Sequence, residues 1–111
     1  MVINIRELPN VTVVELDGRL DILSGENLQQ KLDEIVDEQK KYTILIDCNK
    51  LSFISSAGLR LFMIVSKKLT RLGGKIAFSA FNDSNKKIFE ITGYNKFFSI
   101  YADAEEGIKA F

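Results

Sequence analysis

Residues 47–59 read Asp-Cys-Asn-Lys-Leu-Ser-Phe-Ile-Ser-Ser-Ala-Gly-Leu, and Ser56 falls where a buried strand should hand over to a helix. A serine in that place offers an exposed hydroxyl at a helix N-terminus. There the first backbone N–H groups lack partners and the helix dipole adds partial positive charge. Two chemistries suit such a hydroxyl. It can attack a substrate as an activated nucleophile, or it can accept a phosphoryl group that the same N–H groups would hold. A third reading is a plain helix cap, open equally to Ser55 and Ser56. The doubled serine and the small Ala57-Gly58 pair keep the surface low enough for another protein's active site to approach.

Nucleophilic catalysis lacks its second component. A Ser-His-Asp triad needs an imidazole to take the serine proton, and the chain contains no histidine. The Gly-x-Ser-x-Gly elbow is missing, because Ile54 stands two positions before Ser56. Lys50 and Lys67 leave a Ser-Lys pair formally open, but nothing places a desolvated lysine against Ser56. One cysteine and no histidine exclude an ordinary zinc site. Asn82-Asp83-Ser84-Asn85 lacks the Gly and Glu of a calcium loop and suits a helix cap instead. Gly73-Gly74-Lys75 has the look of a phosphate-loop ending, yet Leu69 and Ile76 stand at the other key positions and the glycines follow a helix. The expectation is a non-enzyme with no cofactor and no metal.

The chain has 111 residues, 46% hydrophobic and 27% charged, which suits one α/β-sized domain spanning residues 1–111. Its 15 basic and 15 acidic residues cancel, leaving no global field to attract nucleic acid or an anionic membrane. The longest strongly apolar run, Leu61 to Val65, is far short of the ~20 residues of a membrane span. No leader-like segment opens the sequence. Cys48, the lone cysteine, reads as a small core residue. These features point to a cytoplasmic protein, monomeric when free.

The elements that must position Ser56 follow from pattern. Residues 2–7 and 11–16 read as an antiparallel strand pair around the Pro9-Asn10 turn, ended by Asp17-Gly18. Arg19 to Ile22 reads as a connector, and Ser24 as the cap of a first helix that ends near Gln39 and gathers Leu28, Leu32, Ile35 and Val36 on one face. Tyr42 to Ile46 is apolar without alternation, which suits a strand covered on both faces. A second helix over 56–72 stops at Gly73-Gly74. Lys75 to Phe81 forms the next strand, and Asn82-Asp83 caps a third helix that Gly93 ends. Phe97 to Tyr101 is the last strand, and Asp103 with Glu106 opens a terminal helix. The alternation predicts a mixed, largely parallel sheet of about five strands packed with about four helices.

Phe53-Ile54-Ser55-Ser56-Ala57-Gly58-Leu59 resembles the signature of the STAS domain, the fold of bacterial anti-sigma factor antagonists. Gly18-x-Leu20-Asp21, Ile46-Asp47, Leu72-Gly73-Gly74 and Ile88-Phe89-x-x-Thr92-Gly93 fall in register with the same family, so the likeness covers the whole chain. The resemblance implies that Ser56 is the phosphorylated serine, with Ser55 as second choice, since Ser55 stands where many relatives have Asp. It implies that Asp21 is the acidic residue on the neighbouring loop. It also implies partner switching. The unphosphorylated protein would bind an anti-sigma factor that is a serine kinase of the GHKL ATPase type, releasing the sigma factor. The kinase would then phosphorylate Ser56 and end the interaction, and a PP2C-type phosphatase would reset it.

On the second helix Gly58, Leu61, Phe62, Val65, Leu69 and Leu72 gather toward the sheet, while Arg60, Lys67, Lys68 and Arg71 gather opposite with Met63 and Ile64 among them. The expected partner-binding set is therefore Asp21, Ser55, Ser56, Ala57, Gly58, Leu59, Arg60, Met63 and Ile64. A STAS scaffold or regulatory subunit unconnected with a sigma factor is the alternative.

Overall fold

A computed structural model describes residues 1–111. Strands β1 (Val2–Glu7), β2 (Thr12–Leu20), β3 (Thr43–Ile54), β4 (Lys75–Ser79) and β5 (Ser99–Tyr101) lie side by side in that order in one sheet. β1 pairs antiparallel with β2, and all later pairings are parallel. Helices α1 (Ile22–Asp33), α2 (Ser56–Arg71), α3 (Asp83–Thr92) and α4 (Ala104–Lys109) connect or follow the strands. The mixed, largely parallel α/β architecture is the one the pattern implies.

Strand alternation decides which helix covers which face. Val14 and Leu16 of β2, Ile44 and Ile46 of β3, and Ile76 and Phe78 of β4 point to one side and pack with α1, α2 and α3. Val13, Leu45 and Ala77, one residue out of phase, form a smaller cluster on the other face with Ile108 of α4 and Phe111. Phe78 anchors the larger core. Its ring centre lies 4.9 Å from that of Phe62 and 5.2 Å from that of Phe89, both edge-on, the arrangement that aromatic quadrupoles favour.

Several boundaries differ from the pattern reading, each for a physical reason. β2 does not end at Asp17-Gly18. Gly18 takes φ +118° at a register shift, and the strand continues through Arg19 and Leu20. Arg19 to Ile22 is accordingly no connector, because Asp21 is the cap and Ile22 already helical. The cap of α1 is not Ser24. Asp21 accepts from the Ser24 N–H, and the Ser24 hydroxyl reaches back to the Asp21 N–H, a capping box with the roles reversed. The helix passes into a π-helical turn over Glu34–Glu38 that still buries Ile35 and Val36. β3 runs on to Ile54 instead of stopping at Ile46, since the outer half of β2 supplies it with a pairing partner. β4 stops at Ser79, before Ala80 at φ +60°. Tyr94–Lys96 forms a 3-10 turn, so β5 starts at Ser99. Leu72 is 43% exposed, because it caps the C-terminus of α2 after the apolar face has ended.

One glycine sets how closely α2 approaches β2. A Cβ on Gly58 would stand 2.8 Å from Cγ and Cδ2 of Leu20 and 3.3 Å from Cγ2 of Ile54. Leu20 is fully buried, in an interior that is close-packed. Gly58→Val is therefore expected to destabilise the fold by about 2–3 kcal/mol through overpacking, with Gly58→Ala costing less. Urea unfolding of the pair checks this, and wild-type stability in both would contradict the close packing.

Candidate functional site

β2 and β3 end together. Leu20 lies opposite Ile54, and the Ser55 N–H donates to the Leu20 carbonyl at 2.8 Å as the last bond between the two chain segments. Each strand then passes straight into a helix, with Asp21 capping α1 and Ser55 capping α2. Two helix N-termini therefore stand next to each other at the carboxyl edge of the parallel strands, where open α/β sheets place their sites. β4 delivers the cap of α3, Asn82, to the same edge.

The two serines are placed differently. The Ser55 Oγ accepts from the Gly58 N–H at 3.1 Å, and Ser55 is half-buried. Ser56 is the first helical residue, is exposed, and its hydroxyl makes no hydrogen bond within the protein. The cap is thus Ser55. With Gly58 engaged by Ser55, the N–H groups of Ser56 and Ala57 are left without intrahelical acceptors, a partial positive charge beside the Ser56 hydroxyl.

Asp21 is exposed at the end of the neighbouring strand. The backbone N–H of Ser24 is the main influence holding its carboxyl below the ordinary carboxylate range, and the Ser24 hydroxyl at 2.9 Å adds to it. Asp21 is a fixed negative charge at neutral pH. Cys48 is the opposite case. Burial pushes its thiol well above the ordinary range and the Asp47 charge pushes it further, so the buried group stays a neutral thiol.

The remaining residues of the expected docking set divide. Arg60 and Ile64 are exposed on α2, with Ile64 at 51%, whereas Met63 is half-buried against the core and Ala57 half-buried. Gly58 and Leu59 are buried, so neither offers a side chain to a partner. They serve the site by seating α2. Lys68 is drawn to the first helix and its π-helical extension, 2.7 Å from Asp37 and 3.7 Å from Asp33, and the hydrogen bond it donates to Asp37 raises its pKa.

Sequence reasoning missed an apolar rim around the serines. Ile22 and Leu23, in the first turn of α1, are 70% and 77% exposed, and Ile91 on α3 is 70% exposed. Phe53, just before the turn, carries the Arg19 guanidinium 4.4 Å from its ring centre. The available signal was position. Apolar residues in the first turn of a helix, ahead of its periodic face, have no core to enter. No group of three or more potential metal-ligating side chains occurs in the fold, and no helix is long and apolar enough to cross a membrane.

The same fold is found in known proteins. The chain is 27% identical over all of its length to BtrV of Bordetella bronchiseptica, provisionally named an anti-sigma factor antagonist, and covers 95% of that protein. It is 23% identical to the anti-sigma-B factor antagonist of Bacillus subtilis, over 96% of both chains. Its fold superposes on SpoIIAA, an anti-sigma factor antagonist solved in its unphosphorylated form, with a TM-score of 0.87 and 22% identity, covering 98% of this chain and 95% of the other. The phosphorylated form of SpoIIAA, a Bacillus cell fate determinant, gives 0.79 at 22% identity, covering 98% of each chain. The STAS domain family model matches residues 2–107, and the chain belongs to the STAS domain family.

Proposed function

We propose that the protein is an anti-sigma factor antagonist. In its unphosphorylated form it binds an anti-sigma factor of the GHKL serine-kinase type, which then releases its sigma factor. Phosphorylation of Ser56 by that kinase ends the interaction, and a PP2C-type phosphatase restores it. The observation that carries the reading is the pair of serines. Ser55 spends its hydroxyl as the α2 cap, while Ser56 presents a free, exposed hydroxyl beside a fixed carboxylate. The names of the relatives support the class of partner.

The chemistry asks little of this chain. The kinase supplies ATP, magnesium and the base. The Ser56 Oγ attacks the γ-phosphorus, its proton passes to the kinase's base, and ADP leaves. The Ser56 and Ala57 N–H groups then face the new phosphate. Phosphoserine adds roughly −1.5 to −2 charge at pH 7. Inside an interface that charge meets Asp21 and loses water, a penalty of several kcal/mol, and each ~1.4 kcal/mol weakens a complex tenfold.

Incubation with the GHKL kinases of the source organism and ATP, followed by mass spectrometric mapping, tests the assignment. Phosphate on Ser56 is expected, and Ser56→Ala should abolish it. Full phosphorylation of the Ala variant would move the site to Ser55, and no phosphorylation by any of these kinases would leave a STAS scaffold in its place. Ser56→Asp should lose kinase binding in a calorimetric titration, while Ser56→Ala binds and is never released by ATP. Ile64→Glu, at an exposed position, should weaken binding about tenfold or more if α2 forms part of the interface. Unchanged affinity in the folded variant would remove that face. The pH dependence has a definite sign. Asp21 has a lowered pKa and stays ionised from pH 8 to below 5, whereas a phosphoserine with a second pKa of about 6 loses charge below it. The affinity loss caused by phosphorylation should therefore be smaller at pH 5.5 than at pH 7.5, measured with the phosphorylated chain against kinase and ADP.

A further inference from the structure

A narrow cleft opens on the flank of the Ser55–Ser56 turn, between the end of β3 and α3. Its volume is about 190 Å³, and its walls are Phe53, Ile54, Ile88 and Ile91 with Lys87 among the lining residues. Ile54 immediately precedes Ser55, so cleft and turn form one surface. Small-molecule sites usually measure ~300–1,000 Å³, so this space suits a single large side chain better than a free ligand.

Lys87 is the one charged residue of the lining; it takes part in none of the protein's five ion pairs, and no carboxylate lines the cleft. The cleft is also held open from below. Asn85, 1% exposed, and the capping Asn82 both donate to the Leu51 carbonyl, at 2.9 and 3.2 Å, which fastens α3 to the outer half of β3. The Asn85 Oδ1 has no partner, which leaves an unpaired buried acceptor in a residue that lines the cleft. A preformed apolar slot with an exposed rim loses little entropy when filled, as the central pockets of interfaces do.

We propose that this cleft is the anchor pocket for the phosphorylating kinase, receiving one large apolar side chain next to a carboxylate while the adjacent Ser56 enters the kinase active site. This rests on the reading of Ser56 as the phosphoacceptor. Lys87 meets the carboxylate, and Phe53 and Ile91 enclose the apolar group.

Two experiments separate this proposal from that reading. In steady-state phosphorylation of the chain by the kinase that modifies Ser56, Ile91→Glu and Lys87→Glu should each raise KM for the chain about tenfold with kcat within about twofold, while Ile91→Val changes neither. Both positions are exposed, and a native amide NMR spectrum confirms folding. An unchanged KM in both folded variants overturns the proposal while leaving Ser56 as phosphoacceptor. Absence of phosphate on wild-type Ser56 overturns the Ser56 reading and, with it, the kinase as occupant. Benzoate, an apolar body bearing a carboxylate, is the probe for the free chain. It should shift the amides of Phe53, Asn85, Lys87 and Ile91, and Lys87→Glu should abolish the shifts. No shifts at tens of millimolar overturn the pocket itself, and benzoate binding with an unchanged KM assigns it to a small acid instead of the kinase.

Discussion

The bond from the Ser55 N–H to the Leu20 carbonyl, 2.8 Å long, is the constraint on which the site depends. It closes the pairing of β2 with β3 after the two register shifts around Gly18, so both strands end at the same level. Had β2 stopped at Gly18, α1 would begin elsewhere and Asp21 would not stand beside the serines. Because each strand passes into its helix without a loop, the two helix ends become neighbours. One is already compensated by the Asp21 carboxylate, and the other is capped only by a neutral hydroxyl. The second end therefore retains capacity for an anion.

That asymmetry explains how one phosphate could be tolerated in the free chain and rejected in a complex. Two like charges repel weakly in water and several times more strongly at the effective dielectric of a partly buried site. In solution the Ser56 and Ala57 N–H groups offset the smaller repulsion. Under a partner, on the proposed reading, both the phosphate and Asp21 would lose water and the stronger repulsion would apply. Salt would screen the first case strongly and the second weakly.

How much of this could be read from sequence depends on where the local signal ended. α2 and α3 were legible because each has a stop: Gly73-Gly74 after α2 and Gly93, at φ +76°, after α3. The inner half of β3 was legible as Ile44-Leu45-Ile46. Its outer half was not, because Asn49, Lys50 and Ser52 look like a loop, and only pairing with β2 makes them a strand. Ser24 was mistaken for a cap because the residues of the capping box are exchanged, with the aspartate first and the serine third in the helix. Leu72 fell on the sheet-facing side of the wheel yet is exposed, since a helical wheel has no knowledge of where the sheet stops. The exposed place of Ser56 at the start of α2 was legible, but the division of labour with Ser55 needed backbone geometry.

The parts around Ser56 leave little room for a conformational switch. Gly58 lies too close to Leu20 for α2 to slide inward, Ser55 is bonded across to β2, and two asparagines hold the Leu51 carbonyl from the α3 side. Large switching motions need an element with two packings of similar energy, and a seam fixed at three points offers only one. The one unrestrained group is the Ser56 hydroxyl. A switch built here therefore works most directly through charge. On the proposed reading, the rigid frame would fix where the charge appears, and the partner's desolvation of that frame would turn a local modification into dissociation.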